Sequence, residues 1–349
     1  AYTSKFARVG KFSMKLRGNI AQNFNEVEEM DPLILEALNG AETYQPGNLA
    51  YNNRVQIGNA LGSIYGLRYK GVYRYDYDHN GYTTASISSY GYAEVNNTGY
   101  DAQGNPINTA AAAQRRHENF TCPIAYDADG NMLTDAKGIP LPMYYCYNES
   151  YRKQFQGGDA IYEDVNHDGQ IDRYDMVYLG NSNPKCNGGF GFTLFYGRFS
   201  LNTGFNFRMG NKIINLARAN YESMRSNTNQ SYATTWRWRK NGDETVIPRA
   251  LTNVNGYESY NSLPSDRYVE NGNYLRLQYV QLRYEFNPQK LKKYGIRQLT
   301  LSASANNVWC WSKYTGVDPD VSPQGFSVST DNSRTPRTKS FTCSANLSF

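Results

Sequence analysis

Long hydrophobic runs are missing. No stretch of the 349 residues approaches the roughly 18 consecutive apolar positions that a membrane-spanning helix requires. That removes helical membrane proteins from consideration. It leaves β-barrels, whose strands need only about 9–11 residues and turn every second side chain to lipid. Histidine is scarce as well: His79, His117 and His167 are the only three, and none stands in a nucleophile or zinc motif. Gly188-Gly189-Phe190-Gly191 opens a strand-like segment, not a helix, so it is no phosphate loop. Acidic residues are plentiful, but nothing marks two of them as a glycosidase pair. The chain therefore reads as a non-enzyme. The five cysteines, Cys122, Cys146, Cys186, Cys310 and Cys343, are odd in number and match no zinc spacing. They read as free or partly paired thiols. The net charge of +5 is spread along the chain. Without a basic stripe, nucleic acid is not an expected partner. The opening AYTSKFARVG has no apolar leader segment and reads as the edge of a processed chain.

What the chain has in excess is aromatic: 31 Tyr, 15 Phe and 4 Trp, against a mean hydropathy of -0.70. Short alternating strands joined by long polar loops produce that combination. The last nine residues show the alternation, with Phe341, Cys343, Ala345, Leu347 and Phe349 interleaved by Thr342, Ser344, Asn346 and Ser348. A strand ending on an aromatic is similar to the C-terminal signal of outer-membrane barrels. The same period of two marks strands at residues 12–24, 188–197, 199–209, 274–286 and 298–307, in the fourth of these from Val280 onward. In these segments the polar phase is mostly Ser, Thr, Asn and Gly, with occasional Arg and Lys. A sandwich would expose long charged residues there, whereas a crowded wet barrel interior favours small polar ones. The apolar phase carries aromatics near strand ends: Tyr196, Phe199, Phe286 and Phe349. Phe12, Leu194, Phe205, Leu282, Leu301 and Leu347 are thus expected to face lipid. Arg17, Asn202, Arg283, Ser302 and Asn346 are expected to face the lumen.

Connections are asymmetric. Gly197-Arg198 is a tight turn and 287–297 a modest one, whereas 210–273, 309–337 and about 25–186 are long. Short turns on one side and long loops on the other are the barrel arrangement, with the long side extracellular. About six strands are legible. Membrane barrels start at about eight, so the chain is expected to complete a barrel only with strands from elsewhere.

The strongest local motif is Asp164-Val165-Asn166-His167-Asp168-Gly169-Gln170-Ile171-Asp172-Arg173-Tyr174-Asp175. Oxygen ligands fall at loop positions 1, 3, 5, 9 and 12, with Gly169 at the sharp turn and the Gln170 backbone carbonyl at position 7. This is the spacing of a calcium loop, because hard oxygens converging within twelve residues suit Ca²⁺. Asp164, Asn166, Asp168, Gln170, Asp172 and Asp175 are the expected ligands of one structural Ca²⁺. Asp175 replaces the usual bidentate Glu, which predicts modest affinity. Asp76-Tyr77-Asp78-His79-Asn80-Gly81 lacks the later ligands and reads as a turn. Trp236 and Trp238, in a long loop with Arg237 and Arg239, are candidates to stack cargo. Packing within the loop accounts for them equally well.

An ordered set of segments resembles the SusC/RagA family of TonB-linked outer-membrane transporters. It runs Gly62-Ser63-Ile64-Tyr65-Gly66-Leu67-Arg68-Tyr69-Lys70-Gly71, the calcium-like loop, Leu179-Gly180-Asn181-Ser182-Asn183-Pro184 and Gly188-Gly189-Phe190. It continues with Ile247-Pro248-Arg249, Ser265-Asp266-Arg267-Tyr268-Val269-Glu270 and Asn273-Tyr274-Leu275-Arg276-Leu277. Last come Ser304-Ala305-Asn306-Asn307-Val308 and Lys313-Tyr314-Thr315-Gly316-Val317-Asp318-Pro319-Asp320. The resemblance implies an all-β fold, an antiparallel transmembrane β-barrel of 22 strands with long extracellular loops and an N-terminal plug. On that reading residues 25–186 are mainly extracellular loop region and 187–349 hold the final barrel strands, while the plug and TonB box are absent from this sequence. It also implies the Gram-negative outer membrane, a SusD-like surface lipoprotein as lid, energy through TonB and the missing N-terminal region, and an oligosaccharide or peptide as cargo. The competing reading is a calcium-stabilised extracellular glycan-binding or adhesion β-module, which detergent dependence would separate from a barrel.

Overall fold

The computed structural model describes residues 2–39, 51, 55–73, 123, 125–131, 133–134, 136, 141–148, 151–240, 243–252, 259–321 and 327–349. Seven strands carry the architecture: β1 Tyr2–Val9, β2 Phe12–Gln22, β3 Cys186–Tyr196, β4 Phe199–Met209, β5 Tyr274–Glu285, β6 Gln298–Ser312 and β7 Ser340–Ser348. They form one antiparallel sheet in chain order, each strand bonded to the next. The expectation of about six strands falls one short. β1 escapes a periodicity reading because neither of its alternate sets, Tyr2-Ser4-Phe6-Arg8 or Thr3-Lys5-Ala7-Val9, is apolar throughout. The two end strands, β1 and β7, are not neighbours, so the described sheet is open.

Register sorts the side chains into two faces. One row runs Phe12, Tyr196, Phe199, Tyr284, Leu301 and Ala345 across six strands. A parallel row runs Met14, Leu194, Leu201, Leu282, Ala303 and Cys343. Next to the second lies a polar row of Lys15, Thr193, Asn202, Gln281, Ser304 and Thr342 on the opposite face. Aromatic contacts tie the apolar rows across strands: Phe190 stacks on Phe205 with centroids 4.8 Å apart, and Phe199 meets Tyr284 at 4.6 Å. Exposure on β6 runs opposite to hydropathy. Leu301, Ala303, Trp309 and Trp311 are exposed, whereas Thr300, Ser302 and Ser304 are buried or half-buried. A soluble sheet does the reverse; a sheet whose apolar face meets lipid does this. From Phe199 to Phe207 the chain rises about 27 Å along the strand. At a tilt of about 40° that spans about 21 Å across a bilayer, near the ~25 Å apolar band of such barrels.

Two-residue turns at Gly10-Lys11 and Gly197-Arg198, and a helical connection through Pro288–Leu291, lie on one edge. The long connections leave the other edge and fold on themselves. Ser63–Gly66 pairs with Val177–Asn181, Tyr69–Val72 with Ala160–Tyr162, and Tyr144–Asn148 with both Tyr151–Gln154 and Gln170–Ile171. Lys212–Asn215 pairs with Val269–Asn271 and Thr330–Asp331. Leu67, Met143, Tyr145, Phe155, Tyr162, Ile171, Met176, Tyr260 and Leu263 form the core of this region. Much of the tyrosine excess is spent here, as rings that fill the core and hydroxyls that reach an acceptor. Tyr162 Oη donates to the Tyr260 carbonyl at 3.0 Å, and Tyr51 Oη to the Ser265 carbonyl at 2.6 Å.

Candidate functional site

Three places in the long-connection half bear on function: the twelve-residue acidic loop, the charged end of the polar face, and the tryptophan pair. The acidic loop leaves the strand Ala160–Tyr162 and enters a short helical turn, Arg173–Asp175. Gly169, with φ +80, makes the reversal that an L side chain resists. The first and last carboxylates are held by backbone donors inside the loop. Asp164 Oδ2 accepts from Gly169 N at 2.8 Å. Asp175 Oδ1 accepts from Val165 N, and its Oδ2 from Asp172 N, both at 2.8 Å. Asp168 Oδ1 accepts from Gln170 N at 2.8 Å and Asp172 Oδ1 from Tyr174 N at 2.7 Å. The Gln170 side-chain oxygen accepts from the Cys146 thiol, so only its backbone carbonyl is left for a ligand role. Ile171 is buried in the core and anchors the loop from below.

The electrostatics of the loop are unfavourable to bare carboxylates. Burial pushes Asp175 up to about 7, and the neighbouring Asp164 and Asp172 add to the shift. Burial likewise raises Asp164 and Asp172, with the charge of Asp168 contributing to both. The sequence-predicted ligands are thus gathered on one loop with their oxygens oriented by N–H groups. Among the described residues, however, no three His, Cys, Asp or Glu side chains form a group that could hold a metal as they stand. The shorter Asp76–Gly81 motif lies outside the described residues.

On the polar face, Arg17 donates to Asn202 Oδ1 and to the Thr203 carbonyl, both at 3.2 Å, and its guanidinium lies over Tyr279. Ser302 and Ser344 share a 2.6 Å hydrogen bond. Toward the long-connection end the face becomes a charge cluster: Arg276 pairs with Asp318, Arg208 with Asp320 at 3.4 Å, and Arg337 with Asp320. Arg276 and Asp320 side chains are 6% and 8% exposed. These pairs draw segment 313–321 down onto the strand ends. Periodicity does not single out Arg208, Arg276, Asp318, Asp320 or Arg337; Asp318-Pro319-Asp320 signals only as part of the resemblance.

The tryptophans divide. Trp236 is 68% exposed, whereas Trp238 is 7% exposed with its ring against Gly158. Only Trp236 offers a face to a ligand. Other segments that carried the resemblance turn out to be ties within the folded connections. Arg249 Nε pairs with the fully buried Asp159 at 2.7 Å, and Arg267 with Glu222 at 2.8 Å. Arg218 joins Glu222 to Glu270.

No family model matches the chain. Curated relatives do. TonB-dependent receptor P39 of Formosa agariphila is 28% identical over 360 residues, aligning 99% of this chain with 29% of the relative. TonB-dependent receptor P26 of the same organism is 31% identical over 168 residues, covering 48% of this chain and 17% of the relative. Among solved structures, the RagAB peptide transporter superposes with a TM-score of 0.56 at 16% identity, covering 99% of this chain and 28% of that one. The RagAB peptide importer in its open-open state gives 0.54 at 14%. The chain thus spans well under a third of the proteins it matches along its whole length. The structural match at such identity speaks to fold, and the sequence match to descent. An open antiparallel sheet with an apolar exposed face and a polar crowded one is what a section of barrel wall looks like. Along its whole length the chain is thus related in sequence to TonB-dependent receptors, and its fold is that of a section of an antiparallel β-barrel wall.

Proposed function

We propose that this chain is a barrel section of an active importer that takes a nutrient, an oligosaccharide or a peptide, across the outer membrane. The observation that supports this best is the lumen-facing side. It is mostly polar, and at one end three arginines and two aspartates hold a connection against the strands. A wall built that way lines a guarded aqueous passage. The solved proteins of like fold are named as peptide transporters, which favours the peptide arm without removing the other. On this reading the long connections are extracellular and meet a SusD-like surface lipoprotein, and TonB acts through sequence outside this chain. The loop 164–175 holds one Ca²⁺ through Asp164, Asn166, Asp168, Asp172, Asp175 and the Gln170 carbonyl. The ion offsets the mutual repulsion of the carboxylates and fixes the turn beneath the extracellular surface.

Uptake by cells tests the central claim. A strain lacking the complete receptor, supplied with labelled oligosaccharide and peptide pools, is expected to lose uptake of one pool. Wild-type uptake of that pool is expected to stop when the proton-motive force is collapsed. Unchanged uptake of both pools would overturn the proposal. Purification from native membranes in mild detergent is expected to bring a lipoprotein subunit; a bare barrel would remove the lid.

A further inference from the structure

Two cavities adjoin where the long connections leave the sheet, and they share Asn271 and Asn273 in their walls. The first, about 950 Å³, lies on the apolar face and is lined by Phe190, Phe207, Met209, Leu275, Trp309 and Trp311, with Lys313 at its edge. The second, about 520 Å³, is polar: seven of its fourteen lining residues are asparagine, and Lys185 and Lys212 stand among them. Neither wall contains an aspartate or a glutamate. Among the described residues, none of the three lysines makes an ion pair.

The asparagines are oriented. Asn181 Oδ1 accepts from Asn183 N at 2.8 Å, Asn271 Oδ1 from Asn273 N at 2.9 Å, and Asn273 Oδ1 from Gly210 N at 2.6 Å. With each oxygen held by a backbone N–H, the free side of each amide is its NH₂, a donor. Asn211, also in the wall, is 1% exposed and neither atom of its amide has a partner. Donors without acceptors and lysines without carboxylates select an anion with many oxygens. The groove beneath selects hydrocarbon, with tryptophans at the depth where an acyl chain meets its headgroup.

We propose that the two cavities together hold a phosphorylated glycolipid of the outer membrane. An acyl chain lies along the Trp309–Trp311 groove, and phosphate and sugar oxygens meet the amides and Lys185, Lys212 and Lys313. A phospholipid headgroup carries too few oxygens to engage this many donors, and a peptide cargo would travel on the other face of the sheet. The inference rests on the membrane placement of the chain and not on the import reaction.

The test uses the intact receptor containing this chain, as wild type and as the combined Lys185→Gln, Lys212→Gln, Lys313→Gln variant. Both are reconstituted into nanodiscs holding diphosphoryl lipid A, its dephosphorylated form or phosphatidylglycerol. Native mass spectrometry counts the lipid retained per receptor. Wild type is expected to retain diphosphoryl lipid A above the other two, and affinity for it is expected to fall roughly fivefold for each lysine removed. A Trp309→Ala variant, with the lysines intact, is expected to retain less of every acylated probe. Equal retention of diphosphoryl lipid A by wild type and the lysine variant would overturn the proposal. Equal retention of phosphatidylglycerol and lipid A by wild type would overturn it too, by making this a general anionic-lipid surface. Recovery of the receptor outside the outer-membrane fraction would instead strike the placement on which the import reading also stands.

Discussion

Asp159 has no exposed surface, yet it is an acid, and its four neighbours explain how it is kept. Its carboxylate accepts from Arg249 Nε at 2.7 Å, Gln156 N at 2.8 Å, Asn261 Nδ2 at 3.0 Å and Tyr260 Oη at 3.1 Å. Three separate stretches of the long connections meet at this one side chain. Asp159→Ala leaves Arg249 without its carboxylate, a loss that costs about 3–5 kcal/mol when both groups are buried. Arg249 is 27% exposed, which puts the expected cost at the lower end. Limited proteolysis of the intact receptor is expected to show new cleavage within 151–263 for Asp159→Ala and less for Asp159→Asn. An unchanged digest would show that the pair ties nothing together. Beside it, Gly158 has φ +84, and a Cβ there would lie 2.3 Å from the Trp238 ring. Gly158→Ala combines about 1–2 kcal/mol of backbone strain with displacement of that ring. A red shift of tryptophan emission is the expected sign, and emission identical to wild type would contradict the packing. In the sequence neither residue carries a signal of its own; Arg249 is visible only within Ile247-Pro248-Arg249.

At the scale of elements, β6 tests the assignment of faces with two adjacent residues. Leu301 belongs to the apolar row, and Ser302 bonds Ser344 on the other face. Leu301→Arg places a charge toward lipid, at a cost that reaches about 2–4 kcal/mol at the bilayer midplane and falls toward the interfaces. Ser302→Arg places it in water. Recovery of assembled receptor in outer membranes is expected to drop for the first and hold for the second; equal recovery would reverse the faces. The loop 164–175 is the second element to probe. Cleavage within 164–175 is expected to rise on adding a calcium chelator and to be suppressed again by calcium at about 10⁻⁴–10⁻³ M, the range of weak extracellular sites. A digest indifferent to calcium would remove the metal from the proposal. These elements were legible to different degrees, for physical reasons. β3, β4 and β6 show their alternation because one face meets lipid along most of their length. β5 shows it only from Val280 onward. Register slips between Leu277 and Tyr279, and this bulge shifts the apolar phase by one residue. The strands of two to five residues in the long connections are too short for a period of two to emerge, so their folding together leaves no mark in the sequence pattern. The loop 164–175 was legible because ligand spacing is local in sequence. The charge cluster of Arg208, Arg276, Asp318, Asp320 and Arg337 was not, because it unites four separate segments.

For the molecule as a whole, the open sheet settles what this chain can do alone. Among the described residues, no strand pairs with the outer edge of β1, over eight residues, or of β7, over nine. Alternate residues turn their N–H and C=O outward, so roughly eight groups per edge lack a partner. In hydrocarbon each such group costs several kcal/mol. Two bare edges therefore cost tens of kcal/mol, far beyond the total stability of a folded domain. Closing β1 onto β7 offers no escape. Seven is odd, and an all-antiparallel barrel of the bacterial type needs an even number of strands, starting at about eight. Further strands must flank both edges in the assembled wall. The chain produced alone and offered to lipid vesicles or detergent is thus expected to aggregate or remain protease-sensitive. It is expected to give no band whose gel mobility shifts on heating, whereas the complete receptor gives one. A monodisperse, detergent-resistant particle made from this chain only, in a single copy, would overturn the reading of its sheet as one section of a larger barrel wall.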